Sequence, residues 1–151
     1  MINVIFAGSD HAGSELKGLV IAHLTTKGFL VRDVGVNPGE RGDYPVFASR
    51  VAQAVLESEG AFGLVFCGSG VGASIAANKS PGIRCVVCSE PYSALMARRH
   101  NNANVLALGQ RVVGSELAIM IVDTFLAAEF EGGRHVRRVA LISDIERGLK
   151  L

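Results

Sequence analysis

A chain of 151 residues is one domain long, and 49% hydrophobic residues make it a folded globule rather than a disordered one. Fifteen basic and 14 acidic residues leave a net charge of +1, which offers no broad basic face to a nucleic acid; the absence of Trp and 6% aromatics remove any stacking platform for bases. No apolar run approaches membrane-spanning length and no leader pattern opens the chain, so the expectation is one cytoplasmic domain over residues 1–151 with neither nucleic-acid nor membrane partner.

Ile2 to Ala7 is an apolar run with β-branched members and predicts the first strand. Gly8-Ser9-Asp10-His11-Ala12-Gly13 breaks it. Ser14 is placed to cap a helix over about 14–27, where Leu16, Leu19, Val20 and Leu24 recur at helical spacing. Gly28 stops that helix, and Phe29 to Val34 predicts the second strand. A polar loop follows. Asp43 is then a candidate N-cap for a helix opened by Tyr44-Pro45, with Phe47, Val51, Val55 and Leu56 as its buried stripe. Ala61 to Phe66 predicts the third strand, ending in a thiol and followed by a short helical signal over 73–79. The fourth strand is expected at 83–88, and Ser89-Glu90-Pro91 caps a helix over 91–100. A fifth strand is expected at 104–108, then helices at about 113–128 and 133–148.

Five strands alternating with helices, each nearly continuous in apolar residues, predict an α/β fold: a three-layer α/β/α sandwich around a five-stranded parallel sheet. Ligands of such sheets bind beyond the carboxyl ends of the strands. Asp10-His11, Asp43-Tyr44, Cys67-Gly68-Ser69, Ser89-Glu90 and Gly109-Gln110-Arg111 should therefore converge on one rim.

The stretch Cys67-Gly68-Ser69-Gly70-Val71-Gly72-Ala73 reads as strand end, tight loop and helix start. Such a loop turns backbone N–H groups toward one spot, and a helix N-terminus adds partial positive charge. Both favour an anion or developing oxyanion, and a cysteine there should have its thiolate stabilised. Three other readings compete. A glycine-rich crossover with a buried cysteine needs no function. Gly68-x-Gly70-x-x-Ala73 fits a loose dinucleotide fingerprint, with Glu90 at a plausible distance, but this is not the first strand and the helix stops early at Ser80-Pro81-Gly82. A cysteine phosphatase loop would need an arginine where the chain has Ala73.

Cys85-Val-Val-Cys88 lies in a strand, where positions three apart face opposite sides, so the two thiols are read as packing residues rather than a metal clamp. The four histidines show no zinc spacing, and no metal is expected. Asp10-His11 could orient a sugar or bind phosphate; the plainer reading is a turn closed by the aspartate. Arg98-Arg99-His100-Asn101-Asn102 offers His100 as a general acid and base and Asn101 as a hydroxyl partner; the plainer reading is a helix end whose cations complement the dipole. Arg134 and Arg138 share a helix face near that helix's N-terminus, where cations are unfavourable unless an anion offsets them, which hints at phosphate. Arg111 completes the basic set. The plainer reading is a solvated basic face.

Together, Asp10-His11-Ala12-Gly13, Asp43-Tyr44-Pro45, Cys67 to Gly72, Ser74 to Lys79, Ile83-Arg84, Ser89 to Ala94, Arg99-His100-Asn101-Asn102 and Gly132-Gly133-Arg134-His135 with Arg138 resemble the ribose-5-phosphate isomerase B family. Lactose-pathway galactose-6-phosphate isomerase subunits belong to the same broader family. The resemblance covers nearly the whole chain. It implies a Rossmann-like sheet, a homodimer (tetrameric in some members) and interconversion of ribose 5-phosphate and ribulose 5-phosphate with no metal or organic cofactor. By matching position, Cys67 is the base, His100 opens the furanose ring, and the amides of Gly68, Ser69, Gly70, Val71 and Gly72 hold the enediolate oxygens, helped by the Ser69 hydroxyl. Asp10, Asp43, Tyr44 and Asn101 contact the sugar, and His11, Arg111, Arg134 and Arg138 serve the phosphate. The resemblance further implies that His100, Asn101 and Arg111 enter from the neighbouring subunit. Many members carry threonine at Ser69, and one branch uses a glutamate in place of the cysteine. Two other functions stay open: isomerisation of a six-carbon aldose phosphate, and a non-catalytic phosphosugar sensor.

Overall fold

The computed structural model describes residues 4–151, so Ile2 and Asn3, the expected start of the first strand, lie outside the described residues. The described residues form β1 (Val4–Ser9), α1 (Ser14–Thr26), β2 (Leu30–Asp33), α2 (Tyr44–Leu56), β3 (Phe62–Cys67), α3 (Val71–Ala77), β4 (Cys85–Val87), α4 (Pro91–Asn101), β5 (Val105–Gly109), α5 (Ser115–Ala127) and α6 (Arg134–Glu146). The sheet runs β2-β1-β3-β5-β4, and every neighbouring pair is parallel. This is the expected Rossmann-like α/β architecture.

Alternation along the central strands divides the core in two. On one face Ile5, Ala7, Leu64, Phe66, Leu106 and Leu108 pack under α1, α4 and α5. On the other, Phe6, Val65, Cys67, Val105 and Ala107 pack under α2 and α3. Cys85 belongs to the second cluster and Cys88 to the first, so the two thiols do face opposite sides. Burial pushes the Cys85 thiol up to about 12 and the Cys88 thiol up to about 11, and all three cysteines are free.

The edges depart from the expected pattern. Only Val31 of β2 is even half-buried, because β2 borders solvent rather than a second neighbour. β4 is shorter than 83–88 because side chains take over its entry: Asn104 Oδ1 accepts from the Arg84 N–H at 2.8 Å, and Asn78 bonds both the N–H and the carbonyl of Cys85. Helix starts differ too. Ser14 does not cap α1; Gly13 holds that position, and the Ser14 hydroxyl donates to the His11 carbonyl at 3.1 Å. Asp43 holds the N-cap position of α2 in extended conformation, but its side chain accepts no capping bond. Glu90 does cap α4, accepting from the Ser93 N–H at 2.9 Å.

The chain order reverses between β1 and β3. β1 connects to β2 on one side, and β2 crosses back to β3 on the other. Ser9 pairs with Phe66, and Cys67 with Gly109. Asp10 and Cys67 thus leave adjacent strands at the crevice where such folds bind ligands.

Candidate active site

A cavity of about 540 Å³ opens at this crevice. The loop after β1 contributes Asp10, His11 and Ala12; the loop after β3 contributes Cys67, Gly68, Ser69, Val71 and Gly72; Arg111 and Val112 follow β5, and Tyr44 opens α2. Four of the five expected strand-end groups therefore meet. The fifth, Ser89-Glu90, does not line the cavity; Glu90 is spent on capping α4.

Asp10 is buried, and its Oδ1 accepts from the N–H groups of Ala12 and Gly13 at 3.0 and 3.1 Å. The turn reading of this aspartate is therefore correct, and it also lines the cavity. His11 Nδ1 stands 3.2 Å from the Gly42 carbonyl; since a carbonyl can only accept, Nδ1 carries the proton. That bond leaves Nε2 as the second ring nitrogen, unused by it.

Cys67 is 4% exposed and borders the cavity from the sheet side. The Gly70 N–H donates to Cys67 Sγ at 3.1 Å, and the Val71 N–H to Ser69 Oγ at 3.2 Å. Two of the five amides expected to face an enediolate thus have partners within the loop. One is aimed at the sulfur itself. Gly70 has φ 77°, a left-handed turn that directs its N–H back to the strand end. At Gly72 a Cβ would stand 2.7 Å from the Tyr44 ring, so glycine there lets the aromatic ring close over the loop.

Arg111 is held by its backbone N–H to the Gly68 carbonyl at 3.0 Å, and its guanidinium lies so near Gly68 that a Cβ there would be 3.0 Å from Nη1. Arg111 therefore lines the cavity of its own chain. Asp43 is exposed at the start of α2 and does not line the cavity, because its neighbour Tyr44 occupies that side.

His100, Asn101, Arg134 and Arg138 lie elsewhere. α4 starts at the carboxyl end of β4 and runs back beside the sheet, so its last residues stand at the opposite edge, where Asn104 bonds Gly63 near the start of β3 and Arg84 just before β4. The six residues of β3 span about 20 Å, which sets the scale of that separation. There a second cluster forms. The His100 and His135 rings stack with centroids 4.2 Å apart and planes 6° apart. Glu131 joins Arg99 through Oε1, and its Oε2 lies 3.6 Å from His100 Nε2 and 3.8 Å from His135 Nε2. Arg134 and Arg138 are exposed on the adjoining turns of α6. The plainer reading of this helix end holds for its neighbours: buried Arg98 bonds Asn102 Oδ1 and the Ala103 carbonyl, and Asn102, at φ 46°, ends α4.

Glu131 and His135 were not singled out from the sequence as functional groups. Their four-residue spacing was the available signal, but Gly132-Gly133 hides it by breaking the helix pattern. His100, Glu131 and His135 bring one donor atom each within 4.8 Å of one another. A metal bound by imidazole lies near the ring plane, and two parallel planes share no point, so this cluster is not shaped as a metal cage.

A Rossmann-like sheet with a thiol, an imidazole and a guanidinium lining a cavity at its switch point has the ligand-site architecture of the α/β class. The ribose/galactose isomerase family matches residues 5–142, and the chain belongs to that family. It is 57% identical over 140 residues to ribose-5-phosphate isomerase B of Escherichia coli, covering 93% of this chain and 94% of that protein. It is similar in structure to ribose-5-phosphate isomerase B of Clostridium thermocellum (TM-score 0.93, 52% identity, 96% and 98% of the two chains). A Mycoplasma genitalium ribose-5-phosphate isomerase B with bound ribulose-5-phosphate aligns with TM-score 0.92 at 44% identity, over 97% and 98% of the two chains.

Proposed function

We propose that the chain interconverts D-ribose 5-phosphate and D-ribulose 5-phosphate, with Cys67 as the base. The observation that carries this is the Cys67 thiol bordering a cavity of about 540 Å³ that also holds His11 and Arg111, in a chain so similar to ribose-5-phosphate isomerase B proteins. The Gly70 N–H supports the anionic sulfur. Opening the ring moves a proton from the C1 hydroxyl to the ring oxygen as the C1–O bond breaks. The thiolate then takes the proton from C2, and the electron pair left behind forms the enediolate. The same proton or a solvent-exchanged one returns to C1 while the C2 hydroxyl proton passes to the oxygen on C1, so no electron acceptor is needed and the reaction calls for neither metal nor organic cofactor.

The N–H groups of Gly68, Ser69 and Gly72, with the Ser69 hydroxyl, are assigned to the developing oxyanion; each well-placed donor is worth about 3–4 kcal/mol. Val71 forms part of the wall. Asp10 and Tyr44 contact the sugar, with Asp43 at the outer edge, and His11 and Arg111 take the phosphate. Remote phosphate binding holds the reacting carbons in place.

The ring-opening group is assigned to His100 with Asn101, and further phosphate contacts to Arg134 and Arg138, all from a second copy. One chain cannot bring these groups to its own Cys67, because they stand at opposite edges of the sheet. Ile142 and Ile145, exposed and three positions apart on one face of α6, support pairing into a homodimer with shared sites. The same reading makes the protein a cytoplasmic enzyme of the non-oxidative pentose phosphate branch. The test is a panel of five- and six-carbon aldose phosphates given to the purified protein. Ribose 5-phosphate should show the highest kcat/KM. A preference for allose or galactose 6-phosphate would move the assignment to six carbons, and binding without turnover would make it a sensor.

A further inference from the structure

The cluster at the end of α4 carries a function for a residue that the isomerase reading leaves unused. We propose that Glu131 is a positioning residue for ring opening: its carboxylate fixes the His100 imidazole against His135 so that the ring is already aimed when it enters the second copy's site. This rests on the isomerase reading and on the assignment of His100 within it.

Three contacts define the arrangement. Arg99 pairs with Oε1 of Glu131, and the Glu131 backbone N–H donates to the Arg99 carbonyl at 3.0 Å. The carboxylate is therefore held at both its head and its main chain. Its Oε2 then faces the Nε2 atoms of His100 and His135 almost equally, at 3.6 and 3.8 Å. These are ion-pair distances rather than hydrogen bonds, and bonds of this kind shorten when a site is assembled. Finally, the face of the His100 ring is covered by His135, 4.2 Å away and nearly parallel. A histidine side chain has two free torsions. The stack restrains the tilt of the ring and the carboxylate restrains its edge.

The surroundings show why a carboxylate is needed. The His100 ring meets the His135 ring on its face and Glu131 at its edge, while Arg134 and Arg138 lie near His135 and Arg99 pairs with the same Glu131 carboxylate, the one acid among the described residues of this cluster. His135 is the buried partner, and burial together with the neighbouring His100, Arg134 and Arg138 lowers its affinity for a proton. Without Glu131, the edge of the His100 ring would lose the carboxylate that faces it, and the stack on His135 alone would be left to hold the ring.

The experiment separates ring opening from proton transfer. Ribulose 5-phosphate is open-chain, so deuterium exchange at its C1 in D₂O needs Cys67 but no ring opening. Glu131→Gln keeps the shape and the backbone bond while removing the charge. The expected result is a fall of about 10- to 100-fold in kcat on cyclic ribose 5-phosphate, with KM and C1 exchange within about twofold of the wild type. Glu131→Asp, which keeps the charge on a shorter arm, should recover part of the loss and guards against a Gln variant that fails to fold. Equal losses in turnover and exchange at unchanged melting temperature, or no loss in either, would overturn the role of Glu131 alone. Absence of ribose 5-phosphate turnover in the wild type would overturn the isomerase reading and this inference with it.

Discussion

The main-chain N–H of Gly70 points at Sγ of Cys67 from 3.1 Å, three residues downstream, so the loop supplies the donor that its own thiol needs. Cys67→Ala removes the base and leaves Arg111 and His11 untouched. The expected outcome is a loss of about 10²–10⁴-fold or more in kcat, with ribose 5-phosphate still bound. Deuterium exchange followed by NMR, alongside calorimetric binding, checks both halves; exchange at the wild-type rate would sink the assignment.

Gly70→Ala tests the loop. The residue sits at φ 77°, and a Cβ would stand 2.9 Å from the Leu108 carbonyl carbon and 3.0 Å from the Gly109 nitrogen. Neither is a flexible side-chain end. A cost of about 2–3 kcal/mol is expected, or a fall in Tm of roughly 5–10 °C. Catalysis should fall further than the melting point explains, because the N–H leaves the sulfur.

The three thiols should differ in reactivity. All three are buried, but Cys67 borders the cavity, whereas Cys85 and Cys88 stay protonated at pH 8, with values pushed up to about 12 and about 11. Iodoacetamide at that pH should add one label per chain, at Cys67, and ribose 5-phosphate should block it. Peptide mass spectrometry reads the result; early labelling of Cys85 would contradict the burial described for it.

Burial lowers the pKa of His135 below its ordinary 6.5, and the positive charges of His100, Arg134 and Arg138 lower it further. The unfolded chain therefore takes a proton at this histidine at a pH where the folded chain declines it. Its contribution to stability is intact above about pH 7 and is lost as the pH falls toward 5. Tm measured across that window should drop, and His135→Asn should flatten the slope. Parallel slopes in both proteins would show that His135 is not the group responsible.

Chains with complementary defects should rescue one another. Neither Cys67→Ala nor His100→Asn homodimers would hold a complete site. Unfolded together and refolded as a mixture, they should regain about a quarter of wild-type activity, since half the dimers are mixed and each has one intact site. No recovery, with mixed dimers verified by mass, would place both groups in one chain's site.

Much of this was legible from residue order. Apolar runs broken by glycine marked every strand, and the polarity of a parallel sheet brought Asp10, Cys67 and Arg111 to one rim before any coordinates. Helix caps were less legible: Ser14 and Asp43 have the right chemistry, but chain direction at Gly13 and at α2 turns their side chains to other uses. The limits were greatest for α4. Its helical pattern gives its length, but the rim rule says nothing of residues at a helix's far end, where His100 lies. Glu131 was hidden for a related reason. It is 31 positions from His100, and only the packing of α6 on α4 brings the carboxylate beneath the ring.

Cys67 is the last residue of the middle strand, flanked by β1 and β5, with its neighbours Val65 and Phe66 almost wholly buried. Its place is set by the buried centre of the sheet. The groups proposed to meet the rest of the sugar hang from the loops after β1 and β5 and from the start of α2. Such a division lets a lineage lengthen or shorten the molecules it accepts by altering the outer turns, while the chemistry at the centre is carried forward unchanged.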